Sequence, residues 1–165
     1  SSWLVANVLL DGFPREPEGV PLAWDNVVQG SPHLGYVTAT HQMIRTSRPA
    51  QTVFTTYHAF AETTPADARR WLAAADDDAL LDIATGDLDR AYGRDWQRRA
   101  RHIEITVRGH AMASPAPGFL GRPGIAALRD ADGPILFAHA DLSGLSVFEE
   151  AAWWGHRAAM RILGG

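Results

Sequence analysis

No cysteine occurs in the 165 residues, which excludes disulfides, thiolate chemistry, cysteinyl metal sites and a cysteinyl cofactor link within this chain. Lysine is missing too; every basic residue is arginine, the pattern a GC-rich coding bias produces. No G-x-G-x-x-G follows a strand, so the chain carries no dinucleotide-binding fingerprint of its own. No apolar run approaches a membrane span, and the N-terminus lacks the basic-then-apolar pattern of a signal peptide. Strong charge of either sign is also absent. A formal net charge of −4 and a pI near 5.9 give no reason to expect nucleic acid or an anionic membrane as partner.

What is present is one domain's worth of ordinary globular sequence, 46% apolar and 21% charged. Trp3–Leu10 is apolar enough for a buried strand. Asp11–Pro21, with three prolines and two glycines, is a loop. Leu22–Val28 and Leu34–Thr40 are expected strands around a turn at Gly30-Ser31-Pro32, and Thr52–Phe60 suits a further strand. Thr64-Pro65 opens a helix with Ala68, Trp71, Leu72 and Ala75 as its apolar stripe. Asp76-Asp77-Asp78 starts a second, with Leu80, Leu81, Ala84, Leu88 and Ala91 inward and an end near Gly93. Ile103, Ile105 and Val107 alternate with polar residues as a half-buried strand. Gly109–Gly124 is an irregular, proline-containing loop, and Ile125–Asp130 suits a short helix.

The run from Ile135 to Leu163 carries the densest signal. Ile135–Ala138 predicts a strand buried on both faces. Ser146 and Glu149 have capping-box spacing, and Phe148, Ala151, Ala152, Gly155, Ala159 and Ile162 recur as a helix's inner stripe. A strand feeding a helix N-terminus suits phosphate or an electron-rich ring edge. Trp153 and Trp154 cannot both face that stripe, so one is expected to meet another domain or subunit.

This stretch resembles the C-terminal flavin-binding segment of FAD-dependent amine oxidases. The matching residues are Phe137-Ala138-His139-Ala140, Glu149-Glu150-Ala151 and Gly155. The bacterial spermidine-dehydrogenase-like branch is similar through FAHADLSGLSVFEEA, through LGYVTATHQ at Leu34–Gln42 and through GHAMASPAPGF at Gly109–Phe119. The element pattern is α+β, antiparallel strands with inserted helices. The resemblance implies an amine-oxidase-type substrate domain over 1–124 and, over 125–165, a strand and helix completing an FAD-binding domain. Because the chain opens directly on a strand without the fingerprint, it is read as the C-terminal part of a larger flavoprotein. Its ADP-binding half is then expected upstream or on a companion chain.

The resemblance also assigns residues. Asn7 stands where the family usually has a lysine that holds a water near the flavin; an amide can hold water but is no tunable base. His110, like His41, lies in a branch motif, and His110 is placed to line a substrate pocket as acid or base. The turn carrying His139, Ala140, Asp141 and Ser143 is implied beside the ribityl–pyrophosphate portion of FAD. The helix start at Val147, Phe148 and Glu149 is implied beside the pyrimidine edge. Val147 departs from the aromatic that often guides an amine, which weakens the amine more than the flavin.

Plainer readings stand beside these. Asn7 is then a hydrogen-bonded strand residue, His110 a histidine bonding loop backbone, Glu149 a capping partner and Asp141 a loop brace. Arg94–Arg101 is a solvated face or a contact with the missing domain. Two rivals to an amine-oxidising flavoenzyme remain: an inactive binding module of the same fold, and a metal-assisted hydrolase on His110, His139 and Asp141. No His-x-x-x-His spacing supports the hydrolase, so no metal site is assigned. Any export signal would lie outside the chain, leaving bacterial cytoplasm and periplasm both open.

Overall fold

In the computed structural model, the described residues are 1–21, 23–39, 47 and 49–164. Leu22, Thr40 and His41, which belong to sequence expectations above, lie outside them. The chain divides into two compact units, Ser1–Gly109 and His110–Gly165. The proline-containing stretch grouped with the first region from sequence therefore counts, from His110 on, with the second unit. Among the described residues no helix is long and apolar enough to cross a membrane.

The first unit is a mixed α+β fold built on a five-stranded antiparallel sheet in the order β2-β3-β4-β1-β5. The strands are β1 (Trp3–Asp11), β2 (Asp25–Asn26), β3 (Tyr36–Thr38), β4 (Gln51–Ala59) and β5 (Ala100–Arg108). Strand β1 is central, and its alternation is strict. Leu4, Ala6, Val8 and Leu10 are wholly buried, while Trp3, Val5, Asn7 and Leu9 between them are half-buried on the opposite face.

Helices α1 (Pro65–Ala74), α2 (Asp77–Tyr92) and α3 (Arg94–Arg99) supply the residues that cover the buried face. Leu4 and Ala6 pack with Leu72 and Ala84, whereas Val8, Leu10 and Phe54 pack with Leu88, Tyr92 and Trp96. The caps are those the sequence predicts. Thr64 Oγ1 accepts from Asp67 N–H at 3.2 Å, and Asp76 Oδ1 accepts from Ala79 N–H at 2.9 Å. Thr64→Ala is expected to cost about 1 kcal/mol, read as a lower urea midpoint.

Several expectations change in detail. Of the expected Leu22–Val28 strand, the described residues 23–28 form strand only at Asp25–Asn26, where the Asn26 amide turns back to donate to Ala23 O at 3.1 Å. Leu81 of α2 is exposed, because the inward stripe is rotated to include Thr85 and Asp87. Arg94–Arg101 is not simply a solvated run. Its first part is α3, anchored by buried Trp96, whose indole N–H donates to Asp89 Oδ1 at 2.8 Å. Asp95 is held below the ordinary carboxylate range, chiefly by the Arg15 backbone N–H, with Arg99 and Arg98 adding.

The second unit contains α4 (Pro123–Asp130), α5 (Phe148–Gly164) and short 3₁₀ turns at Phe119–Gly121 and Ala140–Leu142. Two sequence expectations fail here. Ile135–Ala138 forms no strand, and Ile135 is 69% exposed. A strand takes its hydrogen bonds from a neighbour, and this unit has no strand among its described residues to offer them. The predicted inner stripe of α5 also faces outward: Phe148, Ala151, Ala152, Ala159 and Ile162 are exposed, and Gly155 is half-buried. The packed face is instead Trp154, Arg157, Ala158 and Arg161, with Arg161 donating to Ala131 O at 2.7 Å. Helical spacing fixed which residues share a face, not which face is covered.

Candidate functional site

The residues assigned to flavin contact gather where the 3₁₀ turn meets the start of α5. His139 caps the turn, its Nδ1 accepting from Asp141 N–H at 3.1 Å, and lies 3.4 Å from Asp141 Oδ2. Ala140 begins that turn. Asp141 Oδ1 accepts from Ala113 N–H at 3.2 Å and so braces the proline-containing loop. The side chains of His139 and Asp141 thus hold backbone in place.

At the helix start the expected capping box is replaced by a different set of bonds. Ser146 Oγ is buried and has no hydrogen-bond partner among the described residues, and Val147 O accepts the first helical bond, from Ala151 N–H at 3.3 Å. Ser143 and Glu150 take over the polar pairing. Ser143 Oγ donates to the Glu150 carboxylate and accepts from the Trp154 indole N–H at 2.7 Å. Glu149, Val147 and Phe148 are exposed, Phe148 at 82%. The box fails because Glu150, one residue further on, lies on the covered side of α5 and Glu149 does not.

Behind the helix start is an open cleft of about 570 Å³ lined by Arg129, Ser143, Glu149, Glu150, Trp153, Trp154 and Arg157. Arg157 lies 5.1 Å from the Trp154 ring centroid and 5.5 Å from that of Trp153, while Arg129 is 5.8 Å from Trp154. Arg129 Nε also donates to Leu142 O at 2.9 Å, tying α4 to the turn. Sequence reasoning missed both arginines, because their role depends on which face of α5 is covered. Of the two tryptophans, Trp154 is the buried anchor and Trp153 is half-exposed, edge-on to it.

Asn7 and His110 belong to different units. Asn7 is at the middle of β1, opposite Thr55 and Glu104, and its Oδ1 accepts from Thr55 Oγ1 at 2.8 Å. Its face carries Trp3, Val5 and Leu9 and is the one away from the core clusters. His110 is exposed at the start of the second unit. Among the described residues no group of three His, Asp or Glu side chains is arranged to hold a metal ion, so the hydrolase built on His110, His139 and Asp141 finds no geometric support.

A second polar cluster, also missed from sequence, sits in the first unit. Ser31 Oγ donates to Asp87, His33 N–H donates to Ser31 Oγ at 3.0 Å, and His33 Nδ1 lies 2.9 Å from His58 Nδ1. Asp87 is 2% exposed and its Oδ2 has no hydrogen-bond partner among the described residues. Burial holds both imidazoles below their ordinary 6.5. For His33, Asp87 opposes and Arg90 adds; for His58, His33 adds and Asp87 opposes.

Comparison with known proteins adds no assignment. The chain matches no family model and no curated protein. What can be argued of its function rests on its own residues.

Proposed function

We propose that the chain is the substrate-domain and flavin-contact part of an FAD-dependent oxidoreductase, resembling the amine oxidases of the spermidine-dehydrogenase-like branch. The observation that carries the reading is the apolar surface of the second unit. Ile135 and Phe137 are exposed in a segment without regular secondary structure, and the small-residue stripe of α5 is open. An apolar segment and a helix with those faces suit the edge of a larger α/β layer, supplied by an ADP-binding half.

The residues at the helix start are compatible with such a cofactor. Ser146 Oγ is a buried polar atom without a hydrogen-bond partner among the described residues, and its hydroxyl together with the first N–H groups of α5 is suited to a pyrimidine edge. Backbone of His139, Ala140, Asp141 and Ser143 would meet the ribityl–pyrophosphate portion. When bound, the flavin would supply hydride acceptance from a small-molecule substrate, an amine whose imine product then hydrolyses. Asn7 would orient a water without titrating, its Oδ1 already accepting from Thr55. His110, exposed at the start of the second unit, is the residue the resemblance implies at the substrate.

A second reading is favoured by one feature. The first unit has two well-buried core clusters of its own, as a free-standing, catalytically inactive binding module would. Titrating the purified chain with FAD, followed by flavin fluorescence, bears on the first reading. We expect no saturable binding and no amine oxidation by the chain alone. Recombination with a polypeptide carrying strand–G-x-G-x-x-G–helix should give a bound flavin spectrum. Tight stoichiometric binding by the chain alone, or a colourless recombined protein, would sink the proposal.

A further inference from the structure

The loop between β2 and β3 is pinned by contacts from two elements. On α2, Asp87 accepts from Ser31 Oγ, and Arg90 donates to Gly30 O at 3.1 Å. On β4, Tyr57 O accepts from Leu34 N–H at 3.2 Å, and His58 meets His33 ring to ring at 67°, centroids 4.8 Å apart. The His33 ring also fills the space above Gly86 of α2, where a Cβ would come within 2.8 Å of Nε2.

The contact between the two imidazoles has a particular proton requirement. A 2.9 Å approach of Nδ1 to Nδ1 needs one nitrogen to donate and the other to keep its lone pair. Two neutral rings satisfy this, and so do one neutral and one cationic ring. Two cations do not: both Nδ1 atoms then carry hydrogen, and two positive charges face each other. The bond therefore survives a first proton and fails at the second.

We propose that His33 and His58 form a proton-operated latch, holding the 27–35 loop to β4 and α2 while one ring stays neutral and releasing it when both carry charge. The charged groups facing the pair are Asp87 and Arg90, both from α2. Buried Asp87 favours the first proton, while Arg90 and the second ring oppose further charge. From β4, Phe60 presents its ring edge-on to His58 at 4.7 Å and offers no counter-charge. The pair titrates as a unit, in two steps.

The direction of the pH dependence follows. Both folded rings are held below 6.5, so the unfolded chain takes up protons first as pH falls. Closure is complete above that value and is lost as pH falls through the window below it.

Hydrogen exchange of the His33 and Leu34 amides on the full chain, between about pH 7.5 and 4.5, tests the latch. After correction for intrinsic exchange, wild-type protection should hold and then fall about tenfold per pH unit below the second protonation. The amides of β1 should stay protected. His58→Gln keeps a hydrogen-bonding partner for His33 but cannot titrate, and its profile should be flat. Gly86→Ala places a methyl group in the imidazole's space and should give low protection at every pH. A flat wild-type profile, a His58→Gln profile identical to wild type, or β1 amides failing in step would each overturn the latch.

Discussion

Phe54→Ala should destabilise the first unit by about 3–5 kcal/mol, read as a fall in the urea midpoint with little change in slope. Phe54 is wholly buried and belongs to the core cluster that joins β1, β4, α2 and α3. Its ring stacks on Tyr36 at 5.3 Å and lies 5.9 Å from Tyr92. Those two tyrosines are themselves linked, Tyr36 Oη donating to Tyr92 Oη at 2.7 Å and Tyr92 Oη donating to Glu16 at 3.1 Å. Removing the ring opens a cavity between two hydroxyl-bearing neighbours that cannot close without breaking this chain of bonds. Phe54→Leu, which fills most of the space, should cost less than half as much. Equal losses for the two variants would mean that the aromatic contacts, and not the filled volume, carry the contribution.

Gly35→Ala should be of similar size for a different reason, more than about 3 kcal/mol. Gly35 has φ +96°, and a Cβ there would lie 1.9 Å from Asn26 O and 3.2 Å from Val27 Cα. These are backbone atoms of the neighbouring strand and its following residue, so no side-chain rotation relieves the collision. The only escape is separation of β2 from β3. Gly30 is the control. It too has positive φ, but nothing lies within 4 Å of its Cβ position, so Gly30→Ala should cost only about 1–2 kcal/mol. Comparable urea midpoints for the two variants would contradict the close approach.

Much of the first unit is legible in the sequence because its signals are local. The apolar run Trp3–Leu10 and the Thr64 and Asp76 caps mark β1, α1 and α2 without reference to the rest of the chain. The histidine–aspartate cluster is not legible, because His33 and Asp87 are brought together only by the packing of α2 on the sheet. His58 stands in an ordinary strand pattern, and nothing in Thr52–Phe60 marks it. The second unit shows a different limit. Its periodicity identified α5 correctly, but the Ser146–Glu149 spacing competes with Ser143–Glu150, and the covered face of the helix selects the latter. The strand expected at Ile135–Ala138 fails for want of a pairing neighbour, a property no local pattern contains.

Among the described residues the nine-residue β5 pairs with β1 on one side only, as an outer strand of the sheet. A long, regular margin of this kind is a template on which an unfolded or neighbouring chain can polymerise. Its sequence works against that outcome. Arg101, Glu104 and Arg108 are exposed along it, and the register shifts between Leu9 and Leu10 near its first residues. Charge and irregularity together spoil the strand as a seed for fibrous growth. That margin is thus guarded by the arginines that the lysine-free composition supplies.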